Sequence, residues 1–80
     1  MKEKLTKFQR KVWETIEPII KKESYQVNLT FDDEFVITKE LKYVITIFPN
    51  KQISMKSKNE SIFFDETNLN GLISFLELSN

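Results

Sequence analysis

Tyr25-Gln26-Val27-Asn28-Leu29-Thr30-Phe31-Asp32 is the stretch whose reading decides the fold. Tyr25, Val27, Leu29 and Phe31 alternate with Gln26, Asn28, Thr30 and Asp32. Period-2 alternation is the mark of a strand with one face buried. Upstream the period is different. Phe8, Val12, Ile16 and Ile19 recur at spacings of four, four and three, one apolar stripe of an amphipathic helix. Trp13 and Ile20 lie at the edge of that stripe. Thr6-Lys7-Phe8-Gln9 has the T-x-x-Q form of a capping box, which places the helix start at Thr6. Pro18 removes a backbone donor and disfavours helical geometry at Glu17, so a kink or break is expected there. The change of period at Ser24 thus predicts a helix that hands over to a sheet.

Downstream of the stretch, Asp32-Asp33 reads as a tight turn and Glu34 to Thr38 as the returning strand. Lys42 to Phe48 is β-branched and aromatic almost throughout and is closed by Pro49-Asn50. Gln52 to Lys56 follows with Ile53 and Met55 on one face, then the loop Ser57 to Glu60 and a short strand Ser61 to Phe64. The last segment admits two readings. Leu69, Leu72, Ile73 and Leu76 match a helical face, with Asp65 or Thr67 as its cap. Asn70-Gly71 is also a hairpin signal, which would make Leu72 to Leu78 a strand. The complete i, i+3, i+4, i+7 match favours the helix. The expected architecture is α+β: an N-terminal amphipathic helix, an antiparallel β-meander of three to five strands and a short C-terminal helix. With 80 residues, no linker and no repeat, residues 1–80 are expected to form a single domain.

Composition removes most chemistries. The chain has no His and no Cys, which excludes the usual general base, thiolate nucleophiles and the usual zinc ligands. Gly71 is the only glycine, so no glycine-rich phosphate cradle can form. No catalytic residue, cofactor or metal ligand is expected, and the chain is read as non-enzymatic. Asp32-Asp33-Glu34 is the densest acidic run, but adjacent carboxylates on a tight turn do not converge on one ion. The absence of cysteine and of an apolar leader points to a cytoplasmic protein. No apolar run approaches the roughly 20 residues that span a bilayer.

Twelve basic residues balance twelve acidic ones. Lys7, Lys11 and Lys22 fall on a similar side of the first helix, joined by Lys4 if the helix starts early, and could follow a phosphate backbone. Glu14 and Glu17 share that outer surface, however, and Arg10 is the only arginine, so nucleic acid is the second reading rather than the first. The stronger signal is apolar. In Tyr43 to Phe48, Tyr43, Ile45 and Ile47 face one way and Val44, Thr46 and Phe48 the other. Two short helices can cover one face of the sheet. A second face would then carry Val36, Val44, Phe48 and one of the adjacent pair Phe63 and Phe64, with Phe63 the outward candidate, unless register, twist or a chain end covers it. Contiguous exposed apolar patches usually mark interaction sites. The expected function is protein binding, to another protein or to a second copy of the chain, through these residues with Asp32, Asp33 and Glu34 orienting the encounter. Trp13, of the residue type most enriched in binding hot spots, is a further candidate. In size, composition and lack of active-site residues the chain resembles the accessory proteins with which phages and mobile elements block host machinery, anti-defence inhibitors among them.

Overall fold

The capping box at Thr6 forms as its spacing demands. Gln9 N donates to Thr6 Oγ1 at 3.1 Å, and Thr6 N donates to Gln9 Oε1 at 3.0 Å. From there helix α1 runs Lys7–Ile20 in the computed structural model, which describes residues 5–21, 24–40 and 42–79. Pro18 does not break it. The proline lies on the exposed side within the last turn, and Lys21 N still reaches Glu17 O at 3.0 Å. A missing donor so near the end interrupts little of the ladder. The buried side of α1 is Phe8, Gln9, Val12, Trp13, Ile16 and Ile20, with Ile19 only half-buried. The stripe is therefore rotated from its expected position. Trp13 sets the rotation, since its ring wedges edge-on between Tyr25 and Phe35 at centroid distances of 5.6 and 5.2 Å.

Five strands follow in an antiparallel meander of order β1-β2-β3-β4-β5: β1 Gln26–Leu29, β2 Phe35–Lys39, β3 Tyr43–Ile47, β4 Gln52–Ser57 and β5 Ser61–Asp65. Helix α2, Leu69–Ser79, closes the fold. Asn70 and Gly71 lie inside this helix, so the hairpin alternative is not used. Asp65 and Thr67 are not its cap. The Asp65 carboxylate accepts the amide and hydroxyl of Thr67, and Asn68 precedes the helix with its carbonyl accepting Gly71 N at 2.9 Å. The Thr67 hydroxyl, then the Thr67 amide, hold the Asp65 carboxyl below its ordinary range.

The first strand ends two residues earlier than its alternation suggests. Thr30 and Glu34 close the hairpin through Thr30 N to Glu34 O at 2.9 Å, and Asp33 takes a left-handed conformation at φ 62°. The loop is thus Phe31-Asp32-Asp33 rather than Asp32-Asp33 alone. Phe31 leaves the apolar row for the turn, where it is fully exposed. Asp is among the few residues that visit left-handed space readily, which is why a three-residue loop is available here. The β3–β4 turn repeats the design over Pro49-Asn50-Lys51, with Phe48 N to Gln52 O at 2.8 Å and Lys51 at φ 71°.

The strand register lines up two unbroken apolar rows on one face. They are Leu29, Phe35, Ile47, Ile53 and Phe64, and Val27, Ile37, Ile45, Met55 and Ile62. Both helices pack on this face: their residues join the rows in one core with Val12, Ile16, Leu72 and Leu76 wholly buried. A β-carbon on Gly71 would stand 3.3 Å from the Phe64 ring, which shows how closely α2 approaches β5.

Two polar side chains fasten α1 across the sheet. Gln9 is fully buried, and its Nε2 donates to Asp33 O and to Ile47 O, both at 2.7 Å. Lys39, 2% exposed, donates from Nζ to Ile20 O at 2.8 Å. That carbonyl belongs to the last turn of α1, where acceptors have no partner within the helix and a cation is favoured by the helix dipole. Gln9→Leu strands the buried carbonyl of Ile47 and two part-buried groups, Asp33 O and the Thr6 amide; a buried group left unpaired costs about 1–3 kcal/mol, and a part-buried one less. We expect Gln9→Leu to lower unfolding stability by about 2–4 kcal/mol in a urea titration. A loss below about 0.5 kcal/mol would mean that these bonds do not hold the helix.

Candidate functional site

Among the described residues no helix packs on the opposite face of the sheet. Its rows are Asn28, Val36, Thr46, Ser54 and Phe63, and Gln26, Thr38, Val44, Lys56 and Ser61. Phe63 is 67% exposed and Val44 36%, while Val36 and Phe48 are half-buried. Phe48 follows β3 on the same side as Thr46. The structure therefore brings Val36, Val44, Phe48 and Phe63 onto one surface, as the alternation predicts. β-branched neighbours make this surface locally: Val36 stands opposite Thr46, and Thr38 opposite Val44, pairs that pack well on a pleated sheet. Ser54, between Thr46 and Phe63, is 3% exposed. The first of the two rows is uncharged along its whole length.

Charge gathers at the two ends of the strands. At one end stand Asp32 and Asp33, both exposed, with Glu34 half-exposed and Asp65 across the sheet. At the other, Lys42, Lys56 and Lys58 surround a shallow concavity of about 740 Å³ whose walls include Thr38 and Val44; Glu40 is the acid among them. Asp32, Asp33 and Glu34 stand on and beside a turn held by backbone groups, with Asp33 O accepting from Gln9 Nε2 of α1 and Glu34 N donating to Thr30 Oγ1 at 3.1 Å. Among the described residues no three His, Cys, Asp or Glu side chains are grouped so as to hold a metal ion.

Other candidates lie apart from this face. Trp13 is 4% exposed within the core and presents almost no surface to a partner. Lys7 and Lys11 are exposed beside a cleft of about 230 Å³ between the helices, with Lys51 and Glu66 opposite. Lys51 and Glu66 pair at 3.9 Å. Lys4 and Lys22, which would extend a basic stripe, lie outside the described residues. Phe31 was not expected at the surface, since its position in the alternating stretch masks its departure into the turn. No helix among the described residues is long and apolar enough to cross a membrane.

No protein-family model matches the chain, and comparisons with curated proteins and with solved structures find no match. The adjacent phenylalanines provide a direct check on which face is bare. Phe63→Thr is expected to change stability by no more than about 0.5 kcal/mol, as exposed positions do. Phe64→Ala, on the helix side, should cost about 2–4 kcal/mol. Equal losses in thermal or urea unfolding would show that both faces are covered.

Proposed function

We propose that the chain is a small non-enzymatic protein-binding module, a cytoplasmic regulator or inhibitor that acts by laying its helix-free sheet face on a partner protein. One observation carries this reading. Phe63, 67% exposed, shares a face with Val36, Val44 and Phe48 that no other part of the described chain covers. Leaving a large apolar side chain wet forfeits roughly 1.5–3 kcal/mol relative to burial, a large fraction of the stability of a domain this size. Contact with another chain recovers that energy. The surface is also broad and shallow, which suits a protein better than a small molecule. The absence of His and Cys and the dispersed carboxylates support a role without catalysis. Proteins that phages and mobile elements use to block host machinery are of this size and kind, and the reading places the chain beside them by analogy.

The test uses wild type and Phe63→Lys as baits in extract of the source cells, with Glu14→Lys on the exposed side of α1 as control. Truncating a central interface aromatic commonly costs 2 kcal/mol or more, about 30-fold in affinity. A partner quantified by mass spectrometry should fall at least about 10-fold with Phe63→Lys and be unchanged with Glu14→Lys. Equal recovery with Phe63→Lys, or loss only with Glu14→Lys, contradicts the proposal. Retention on DNA that weakens steeply with salt would move attention to Lys7 and Lys11 instead.

A further inference from the structure

We infer that one partner of the helix-free face is a second copy of this chain, packed face to face by a two-fold rotation that sets opposite strand ends against each other. The inference rests on the reading of this face as a contact surface and names an occupant for it. Its basis is the distribution of charge and shape along the strands. The turn end is acidic through Asp32, Asp33 and Glu34, and Phe31 projects from the same turn with its side chain fully exposed. The far end holds the shallow concavity, with Val44 in its wall, Lys42, Lys56 and Lys58 around it and Glu40 the acid among its described lining residues, while Glu60 stands exposed in the β4–β5 turn at the same end. An aromatic flanked by carboxylates at one end thus matches an apolar basin flanked by ammonium groups at the other.

A surface of this kind is complementary to itself in one orientation class only. Two copies stacked with like ends together set acid against acid and lysine against lysine. Reversing one copy pairs each acidic turn with a lysine-bordered basin, and the two-fold axis makes both contacts identical, as a closed dimer requires. The uncharged row containing Val36, Thr46, Ser54 and Phe63 then lies in the middle, away from any charge repulsion. The chain has a formal net charge of zero, so no long-range repulsion opposes self-association. A foreign partner using the same face would compete with the second copy, which makes self-association a reserve state of the binding surface.

The experiment is sedimentation velocity on the full chain between about 10 and about 500 µM, the range in which a weak dimer is seen. Two variants reverse the ends separately: Asp32→Lys with Asp33→Lys, and Lys56→Glu with Lys58→Glu. All four positions are exposed, and Lys51 already occupies, in the second turn, the left-handed position that Asp33 holds in the first. Each reversed variant sets like charges together in its own dimer, so each should self-associate at least roughly 10-fold more weakly than wild type. Mixed in equal amounts, they restore opposite charges at both contacts and should recover dimer to within about 3-fold of wild type. For wild type alone, raising salt from about 0.05 to about 0.5 M should weaken the dimer several-fold.

Wild-type association in reversed variants, or a mixture as monomeric as its components, overturns the inference, as does a salt-insensitive wild-type dimer. Wild type that stays monomeric at about 500 µM also overturns it. In that case Phe63→Lys separates the two levels of the argument. If it abolishes capture of another protein, the face remains a contact surface and only the second copy is wrong. If wild type dimerises and Phe63→Lys dimerises equally well, the face itself is wrong.

Discussion

The amide of Gln9 is the point on which the molecule depends. It is wholly buried, and every polar atom has a partner: Oε1 receives the Thr6 amide while Nε2 serves Asp33 O and Ile47 O. One side chain therefore completes the helix cap, closes the first hairpin turn and marks the end of β3. A buried amide in this position tolerates little displacement, because any shift exposes unpaired groups to an apolar surround. Lys39 does the corresponding work at the other end, where its Nζ meets Ile20 O. With both ends of α1 tied to the same sheet face, the helix cannot roll or cross to the other side. The apolar rows beneath it are covered and the opposite rows are left to the solvent.

Much of this was legible in the residues. The change of period at Ser24 announced helix then sheet, and alternation from Tyr43 to Phe48 separated Ile45 and Ile47 from Val44 and Phe48 correctly. Because side chains alternate strictly along a strand, a correct strand assignment also assigns its faces. That is why the bare surface with Val36, Val44, Phe48 and Phe63 could be anticipated. The parts that were not legible share a physical origin in tertiary contact. Phe31 continues the alternation of β1, yet the left-handed Asp33 draws it into the turn. Trp13 sits beside the apolar stripe on a helical wheel, but the space between Tyr25 and Phe35 pulls it into the centre. Lys39 lies one residue past the strand expected from Glu34 to Thr38, yet it extends β2 and its Nζ reaches Ile20 O at the end of α1. The lysine-bordered concavity joins residues from three strands and their turns, and such convergence has no signature in any one segment.

The coverage of one face and not the other is a matter of area. Two helices of 14 and 11 residues shelter the two apolar rows of a five-stranded sheet, and the described residues form no third layer. The solvent face of an ordinary antiparallel sheet carries polar residues. Here the outer rows are mixed, with Thr and Ser beside Val and Phe, a composition able to stay in water alone and still gain from contact. The charges sit at the strand ends and leave the middle neutral, so encounter can be oriented by charge while the contact itself is apolar.

The claim that matters most is that association takes place on this helix-free surface. Valine labelling tests it directly, because the four valines divide evenly: Val12 and Val27 on the helix side, Val36 and Val44 on the other. Methyl NMR spectra recorded on dilution, or on titration with a captured partner, report each side separately. Shifts or broadening are expected at Val36 and Val44 with Val12 and Val27 unchanged. Changes confined to Val12 and Val27 would contradict it.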